Sequence, residues 1–209
     1  MHMEANRENN RVVISGFVQQ DPSFSHCLYG EAFYTFPLAV PRLSGAEDVL
    51  PVTAGERLLP VLPEAGQMLE ITGQLRSYNM QCEGTNRLVL TVFARSVLEK
   101  PEDAPFINEI ALTGYICKPP VYRTTPFSRE IADILLAVNR PYHKSDYLPV
   151  IAWGRNARYV SALCVGDRLC VTGRVQSRAY QKAMPDGAMI TRITYEVSAA
   201  TVECEQEEP

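Results

Sequence analysis

The sequence predicts an all-β protein, folded as two tandem five-stranded Greek-key barrels that each carry a short helix between the third and fourth strands. Two observations lead to this prediction. One stretch, residues 148–180, has the pattern of a strand, a short helix and a second strand, and segments of the first half of the chain recur in the same order in the second half. A chain of 209 residues, with 46% hydrophobic and 21% charged residues, suits one large or two small globular domains.

The internal repeat sets the domain organisation. Five segments recur: NRVVISG (10–16) as NEIALTG (108–114), FPLAVPR (36–42) as LLAVNR (135–140), LPV (50–52) as LPV (148–150), AGQMLEITGQLRS (65–77) as VGDRLCVTGRVQS (165–177), and RLVLTVFARSV (87–97) as RITYEVSAATV (192–202). Five counterparts in one order indicate a duplication. We therefore predict a domain at 1–99, a polar, proline-containing linker at 100–107, a second domain at 108–203 and a short acidic tail at 204–209.

The second copy shows the element order most clearly. In its third strand Tyr147 and Trp153 share one face, while small apolar residues occupy the other face. Residues 155–163 have apolar positions at helical spacing. In the strand at 168–178, arginines and polar residues occupy the even positions and apolar residues the odd ones. The sequence thus predicts an aromatic face and a cationic face on neighbouring elements.

Five strands with a short helix between the third and fourth correspond to the OB-fold, a small barrel whose strand 2–3 face and adjacent loops bind oligonucleotides. Small barrels need tight corners. Glycines recur at matching places in both copies, where we expect the strands to bend: Gly16, Gly73, Gly114 and Gly173.

An aromatic face beside an arginine-lined strand suits a single-stranded nucleic acid, because flat rings stack bases and a positive groove follows phosphates. A lone tryptophan at a strand end is, however, at least as often a core or rim residue. Arginines on one face of a strand usually keep that face solvated. The spacing alone leaves both interpretations open.

The same segments resemble the bacterial single-stranded DNA-binding protein family. The resemblance consists of VIAWGR (150–155), GDRLCVTG (166–173) and GRVQSRAY (173–180), preceded by NEIALTGYI (108–116) and ILLAVNR (134–140). It covers residues 108–203 and depends on the order and spacing of these segments together. It implies an OB-fold that binds single-stranded DNA in replication, recombination or repair. For a chain with two barrels, it also implies a homodimer.

The resemblance also assigns residues to a DNA-binding surface. The base-stacking aromatics of the family correspond to Trp153, Tyr147, Tyr180 and Tyr142. Cationic residues near these rings are expected to contact DNA; they are Arg129, Arg140, Lys144, Arg155, Arg174 and Arg178. The alternative interpretation of each cation is a solvated side chain.

The two copies differ in charge and in aromatic residues. Residues 1–107 contain 8 Lys+Arg and 13 Asp+Glu, whereas residues 108–203 contain 12 Lys+Arg and 8 Asp+Glu. The last six residues add three acidic residues. Trp153 corresponds to Gly55 in the first copy, and we expect most of the first copy's rings to pack in the core or in loops: Phe24, Tyr29, Phe33 and Tyr34. We therefore predict that the second domain is the principal binder, and that the first supplies contacts between subunits or to a partner protein.

The sequence does not support catalysis. The histidines lack Cys, Ser or carboxylate neighbours at catalytic or metal-binding spacing, and nucleotide-binding fingerprints are absent, so we predict no enzyme, no cofactor and no metal. The six cysteines include no C-x-x-C pair and are predicted to be buried free thiols. No apolar run has membrane-spanning length and the N-terminus lacks a signal peptide core, so we expect a cytoplasmic, nucleoid-associated protein without membrane contact.

A second functional class stays open. An OB-fold accessory protein, similar to primosome proteins, would keep the barrel for protein contacts and bind nucleic acid weakly. The acidic first half and a C-terminal EQEEP without the hydrophobic tip of the family favour this alternative. The basic second half and its retained rings favour single-stranded DNA, with replication proteins as further partners.

Overall fold

The computed structural model describes residues 8–82, 85–183 and 189–205. Within them the first half forms β1 (Asn10–Val18), β2 (Ser23–Leu28), β3 (Glu31–Pro41), β4 (Glu47–Gly55), a 3₁₀ helix (Glu56–Leu58), β5 (Met68–Cys82) and β6 (Thr85–Glu99). The second half forms β7 (Asn108–Ile116), β8 (Val121–Thr124), β9 (Glu130–Arg140), β10 (Lys144–Trp153), α1 (Arg155–Val160), β11 (Arg168–Ala183) and β12 (Met189–Glu205).

Five strands close each barrel. In the first, the order is β3, β4, β6, β5 and β1, and β1 pairs again with β3. In the second, β9, β10, β12, β11 and β7 repeat this order, and β7 pairs again with β9. The β4–β6 and β10–β12 pairs are parallel, whereas the other pairs are antiparallel. The prediction of two tandem OB-folds is confirmed.

The strand alternation that the sequence shows places the core inside the barrels. Leu148 and Val150 on the inner face of β10 are buried, as predicted, while Tyr147 and Trp153 on the opposite face are exposed. Ile151 shares the outer face with Trp153 but is also buried; it pairs with Ser198 of β12 and lines a cavity beside Trp153. The buried cores of the two barrels are continuous with each other.

The barrels are joined by β1 and β7. Residues 10–14 pair antiparallel with residues 108–112, and Val12 lies opposite Ile110 at the centre. These two segments are counterparts in the repeat, so the pairing has a local two-fold symmetry. One sheet therefore runs continuously from the first barrel into the second.

Two fully buried aspartates, one in each barrel, accept hydrogen bonds from the backbone of the other barrel. Asp48 accepts a hydrogen bond from the Ser177 N–H of the second barrel at 2.7 Å, and it pairs with Arg42, whose pKa this hydrogen bond raises above its ordinary value. At the corresponding position, Asp146 accepts a hydrogen bond from the Ser77 N–H of the first barrel, also at 2.7 Å. Each buried carboxylate thus needs a backbone donor from the opposite barrel.

The structure differs from the sequence prediction in local detail. The segment after β4 forms only a 3₁₀ turn, because Pro60 and Pro63 follow closely and cannot continue an α-helix. Residues 121–124 form an additional edge strand, β8, which pairs with β9 and was not among the five strands predicted for the second copy. The proposed domain bounds stay a prediction; Cys204 and Glu205 of the predicted tail belong to β12, and residues 206–209 lie outside the described residues.

The cysteines are less buried than predicted. Cys27 and Cys164 are exposed, because they lie on the edge strand β2 and in the loop after α1, and the prediction of buried thiols is wrong for both. The three other cysteines described are partly buried, and none of the five described forms a disulfide. In the described part of the chain, no helix has the length and apolar character needed to cross a membrane.

Candidate nucleic-acid interface

Trp153 ends β10 on the outer face of the second barrel, with 38% of its surface exposed. Its indole Nε1–H donates a hydrogen bond to the Ser198 hydroxyl of β12 at 3.3 Å. Gly154, with a φ of 54°, turns the chain directly into α1. The indole therefore has a fixed orientation and keeps ring surface available for stacking.

Two concave surfaces meet at Trp153, and we call them together the Trp153 groove. One cavity, of 830 Å³, extends over the junction of the barrels to Arg11 of β1. The other, of 440 Å³, extends to Arg178 of β11 and to Arg42 in the turn between β3 and β4. Arg129, Trp153 and Arg174 line both cavities. The groove is therefore continuous along one side of the second barrel.

The electrostatics of the groove are set by which arginines have carboxylate partners. Arg178 pairs with Glu196 at 3.3 Å, and Arg42 pairs with buried Asp48. Among the described residues, Arg129 and Arg174 form no ion pair; Arg174 donates only to the Gln176 side-chain oxygen, at 3.2 Å, and its Nε is buried without a hydrogen-bond acceptor. Two uncompensated guanidinium groups beside an indole form a site for an anionic polymer with flat bases.

The three other predicted rings are exposed but lie apart from Trp153. Tyr147 is six residues away on the same face of β10, which corresponds to about 20 Å along an extended strand. Tyr180 lies beyond Arg178 on β11 and lines a separate cavity of 360 Å³. Tyr142 is 91% exposed in the β9–β10 turn, with a φ of 64°. The rings thus do not form one cluster.

The remaining predicted cations have different environments. Arg140 lines a cavity of the first barrel, and its Nε lies 3.5 Å from a carboxylate oxygen of Asp146 in β10, an ion-pair distance without hydrogen-bond geometry. Lys144 and Arg155 are exposed at the starts of β10 and α1, outside the residues that line the groove. The structure therefore brings Arg129, Arg174 and Arg178 to Trp153 and leaves the other three apart.

Sequence reasoning missed residues that the fold brings to the groove. Arg42 belongs to the first copy, yet it lines the groove of the second barrel. The repeat offered a signal, because it aligns Arg42 with Arg140. We expected most of the first copy's rings to pack in the core or in loops; Phe33 is buried and Tyr34 is half-buried, whereas Phe24 and Tyr29 are 62% and 99% exposed. Phe24 lies on the edge strand β2, where its ring contacts the Tyr34 ring edge-on with centroids 6.3 Å apart, and Tyr29 lies in the turn that follows.

No group of three or more His, Cys, Asp or Glu side chains within 8–82, 85–183 and 189–205 is arranged to hold a metal ion. His26 instead stacks on Phe33 and shares a hydrogen bond with the Ser25 hydroxyl at 3.0 Å.

These features define a tandem OB-fold protein with an aromatic, cationic groove on its second barrel. Residues 107–204 match the model of the Single-strand binding protein family. This match spans the second barrel, which is therefore similar to the single-strand binding protein family.

Individual relatives agree with this assignment. Single-stranded DNA-binding protein 1 of Staphylococcus aureus (strain COL) is 32% identical over 94 residues, which are 42% of this chain and 56% of that protein. The single-stranded DNA-binding protein of Thermus aquaticus is 26% identical over 151 residues, 63% of this chain and 57% of that protein. The chain thus spans little more than half the length of these relatives. The crystal structure of wild-type single-stranded DNA binding protein from Thermus aquaticus covers 96% of this chain and 94% of that chain at 24% identity, with a TM-score of 0.72, which shows a shared fold.

Proposed function

We propose that this protein binds single-stranded DNA without sequence preference, chiefly through the Trp153 groove. The observation that carries the proposal is an exposed, hydrogen-bonded indole between Arg129 and Arg174, two arginines without a carboxylate partner among the described residues. The family match and the names of the relatives support the ligand class, and the matched residues include all three side chains. We extend the proposal to replication, recombination or repair, in which single strands are exposed.

Binding in the groove divides between stacking and charge. A base that stacks on Trp153 contributes about 1–3 kcal/mol, and because every base has a flat face, the contribution tolerates any sequence. Arg174 and Arg178 lie on one face of β11, about 13 Å apart, so they contact different phosphates of one strand. Arg178 contributes less charge than Arg174, because Glu196 shares its guanidinium group.

The exposed side chains outside the groove extend the proposed path. Tyr147, Tyr142 and Lys144 lie along β10 and its preceding turn, Arg155 lies at the start of α1, and Tyr180 continues β11 beyond Arg178. Rings spaced along a strand path suit an extended single strand better than a compact ligand. The family resemblance supports the remaining parts of the proposal: a homodimer, a cytoplasmic, nucleoid-associated location and contacts with replication proteins.

The test uses Trp153 itself, because it is the only tryptophan in the chain. Titration with oligo-dT is expected to quench its fluorescence, and added salt is expected to reverse the quenching. Arg174→Gln is expected to weaken binding and to reduce the salt slope by about 1. The matched control is Arg57→Gln, because Arg57 is an exposed arginine on the 3₁₀ helix of the first barrel. An unchanged Trp153 signal in the folded protein would contradict the proposal.

One observation favours a second candidate function. The first half of the chain is acidic, with 8 cations and 13 acids in residues 1–107, which suits protein contacts better than nucleic acid. An OB-fold accessory protein of the primosome type would leave the Trp153 fluorescence unchanged on addition of oligo-dT. The same titration therefore separates the two candidates.

A further inference from the structure

An ion pair of the first barrel binds the backbone of the strand that carries the groove arginines of the second barrel. Arg42, in the turn between β3 and β4, donates a hydrogen bond to the Ser177 carbonyl oxygen of β11 at 3.2 Å. Its partner, the fully buried Asp48, accepts hydrogen bonds from the Ser177 N–H at 2.7 Å and from the Ser177 hydroxyl at 3.3 Å. Both backbone polar groups of Ser177 are therefore bound by one ion pair, and we call this arrangement the Ser177 clamp.

The clamp lies beside the side chains that fix Arg178. Gln176 and Arg178 flank Ser177 in β11, and both bind Glu196 of β12. The Gln176 amide donates to a Glu196 carboxylate oxygen at 2.8 Å, and the Arg178 guanidinium group donates to both carboxylate oxygens at 3.3 Å. Gln176 and Glu196 are buried, so this network has little freedom to shift. Arg178 is therefore held at its backbone by the clamp and at its guanidinium group by Glu196.

The corresponding contact in the opposite direction is looser. Asp146 of the second barrel accepts the Ser77 N–H of the first barrel at 2.7 Å, as in the clamp. Arg140, which the repeat aligns with Arg42, lies 3.5 Å from an Asp146 carboxylate oxygen, and its Nε is buried without a hydrogen-bond acceptor. Arg42, in contrast, donates to both carboxylate oxygens of its partner. The two-fold relation between the barrels thus applies to the position of the contact but not to its geometry.

One sequence difference explains this asymmetry. Arg76 of β5 stands where β11 has Gln176, and its guanidinium group also lies 3.5 Å from Asp146. Two arginines therefore share Asp146, whereas among the described residues Asp48 forms an ion pair with Arg42 alone. A carboxylate with one arginine can bind it in the bidentate geometry, which fixes both side chains. The well-defined contact thus acts on the second barrel, where the Trp153 groove lies.

We propose that Arg42 is a positioning residue for the Trp153 groove: it fixes the backbone beside Arg178 and so presents that guanidinium group to a single strand, without binding the strand itself. Its own guanidinium group is already bound to Asp48 and to the Ser177 carbonyl oxygen, and the side chain is only 24% exposed. A guanidinium group paired with a buried carboxylate adds little charge for phosphates. The inference rests on the proposed function, and it gives the first barrel a part in binding at the second.

Arg42→Lys tests this inference, because lysine keeps the positive charge beside Asp48 but lacks the planar fork that binds Asp48 and Ser177 together. Its affinity for a labelled oligo-dT of about 30 nucleotides is expected to fall about 3- to 10-fold, the effect of leaving one side chain to be ordered on binding. The matched control is Arg57→Lys, whose side chain is 80% exposed on the 3₁₀ helix and should bind as the wild-type protein does. The emission of Trp153 without DNA checks that each variant is folded.

The outcomes separate the inference from the proposed function. Equal affinities of the Arg42→Lys and Arg57→Lys proteins, with binding by the wild-type protein, would overturn the inference and leave the proposed function standing. No binding by the wild-type protein would reject both.

A double-mutant cycle with Arg178→Gln tests the path of the effect. If Arg42 acts through Arg178, the two losses are not additive, and Arg42→Lys is expected to weaken binding less than about 2-fold once residue 178 is glutamine. Additive losses would mean that Arg42 acts on the strand independently of Arg178, and would overturn the inference.

A second variant covers the case in which Arg42→Lys does not fold. Gln176→Arg places in the second barrel the arginine that competes for Asp146 in the first, so Asp48 would be shared in the same way. We expect this variant to bind oligo-dT more weakly than the wild-type protein, although it adds a positive charge to the groove. Equal or stronger binding would overturn the inference, because charge alone would then account for the affinity.

Discussion

Replacing Asp48 with asparagine is expected to weaken the attachment between the barrels. Asp48→Asn keeps the shape of a fully buried side chain but removes the charge that Arg42 and the Ser177 N–H are bound to, at 2.6 and 2.7 Å. Removing one partner of a buried ion pair costs about 3–5 kcal/mol. Because the Arg42 side chain remains 24% exposed, we expect a loss near the lower end, about 3 kcal/mol in the free energy of unfolding.

Urea unfolding of the full chain measures this loss, with Trp153 fluorescence as the probe of the second barrel. The substitution lies in the first barrel, so a loss reported by Trp153 shows that Asp48 stabilises the second barrel through Ser177. The control is Asp133→Asn, whose ion pair with Arg123 is exposed on both sides and contributes about 0–1 kcal/mol. If Asp48→Asn costs no more than Asp133→Asn, the buried carboxylate does not hold the barrels together.

Three further substitutions or reactions test other parts of the structure. Ser15→Ala removes a hydroxyl that accepts a hydrogen bond from the Ile107 N–H at 2.6 Å and donates one to the Pro105 carbonyl oxygen. Urea unfolding should therefore show a free energy of unfolding lower by about 1–3 kcal/mol. An unchanged free energy would mean that water replaces the hydroxyl. Gly173→Ala would place a Cβ 2.1 Å from the Ser198 carbonyl oxygen, a backbone atom that cannot yield, and should lower the melting temperature more than Gly30→Ala, where no atom lies within 4 Å and only the φ of 80° disfavours a side chain. Burial raises the pKa of the Cys170 thiol, so less of its thiolate is present at pH 8. Iodoacetamide should therefore modify Cys170 more slowly than the exposed Cys27, as measured by peptide mass mapping. Equal modification rates would contradict this expectation.

The fold was predictable because the repeat and the alternation of apolar residues are local signals. The strand that contains Leu148 and Val150 buries the residues that its period-2 pattern places inward. The short 3₁₀ turn after β4 and the edge strand β8 were not predictable in the same way, because both depend on which neighbouring segment offers a hydrogen-bonding partner.

The site was predictable only in part, because its members come together through the packing of the barrels. Trp153 and Arg174 lie in two segments of the family resemblance, VIAWGR and GRVQSRAY, so the sequence indicated both. Arg42 meets Ser177 across 135 residues of chain, a contact that no local pattern reveals.

The antiparallel pairing of β1 with β7 occurs within one polypeptide. If two identical single-barrel chains had to make the same pairing, dilution would separate them, since their association would depend on protein concentration. A short tether instead holds the partners at an effective concentration on the order of millimolar, whatever the amount of protein in the sample. The spacing of the two barrels is therefore a fixed property of each molecule, even in the most dilute solution.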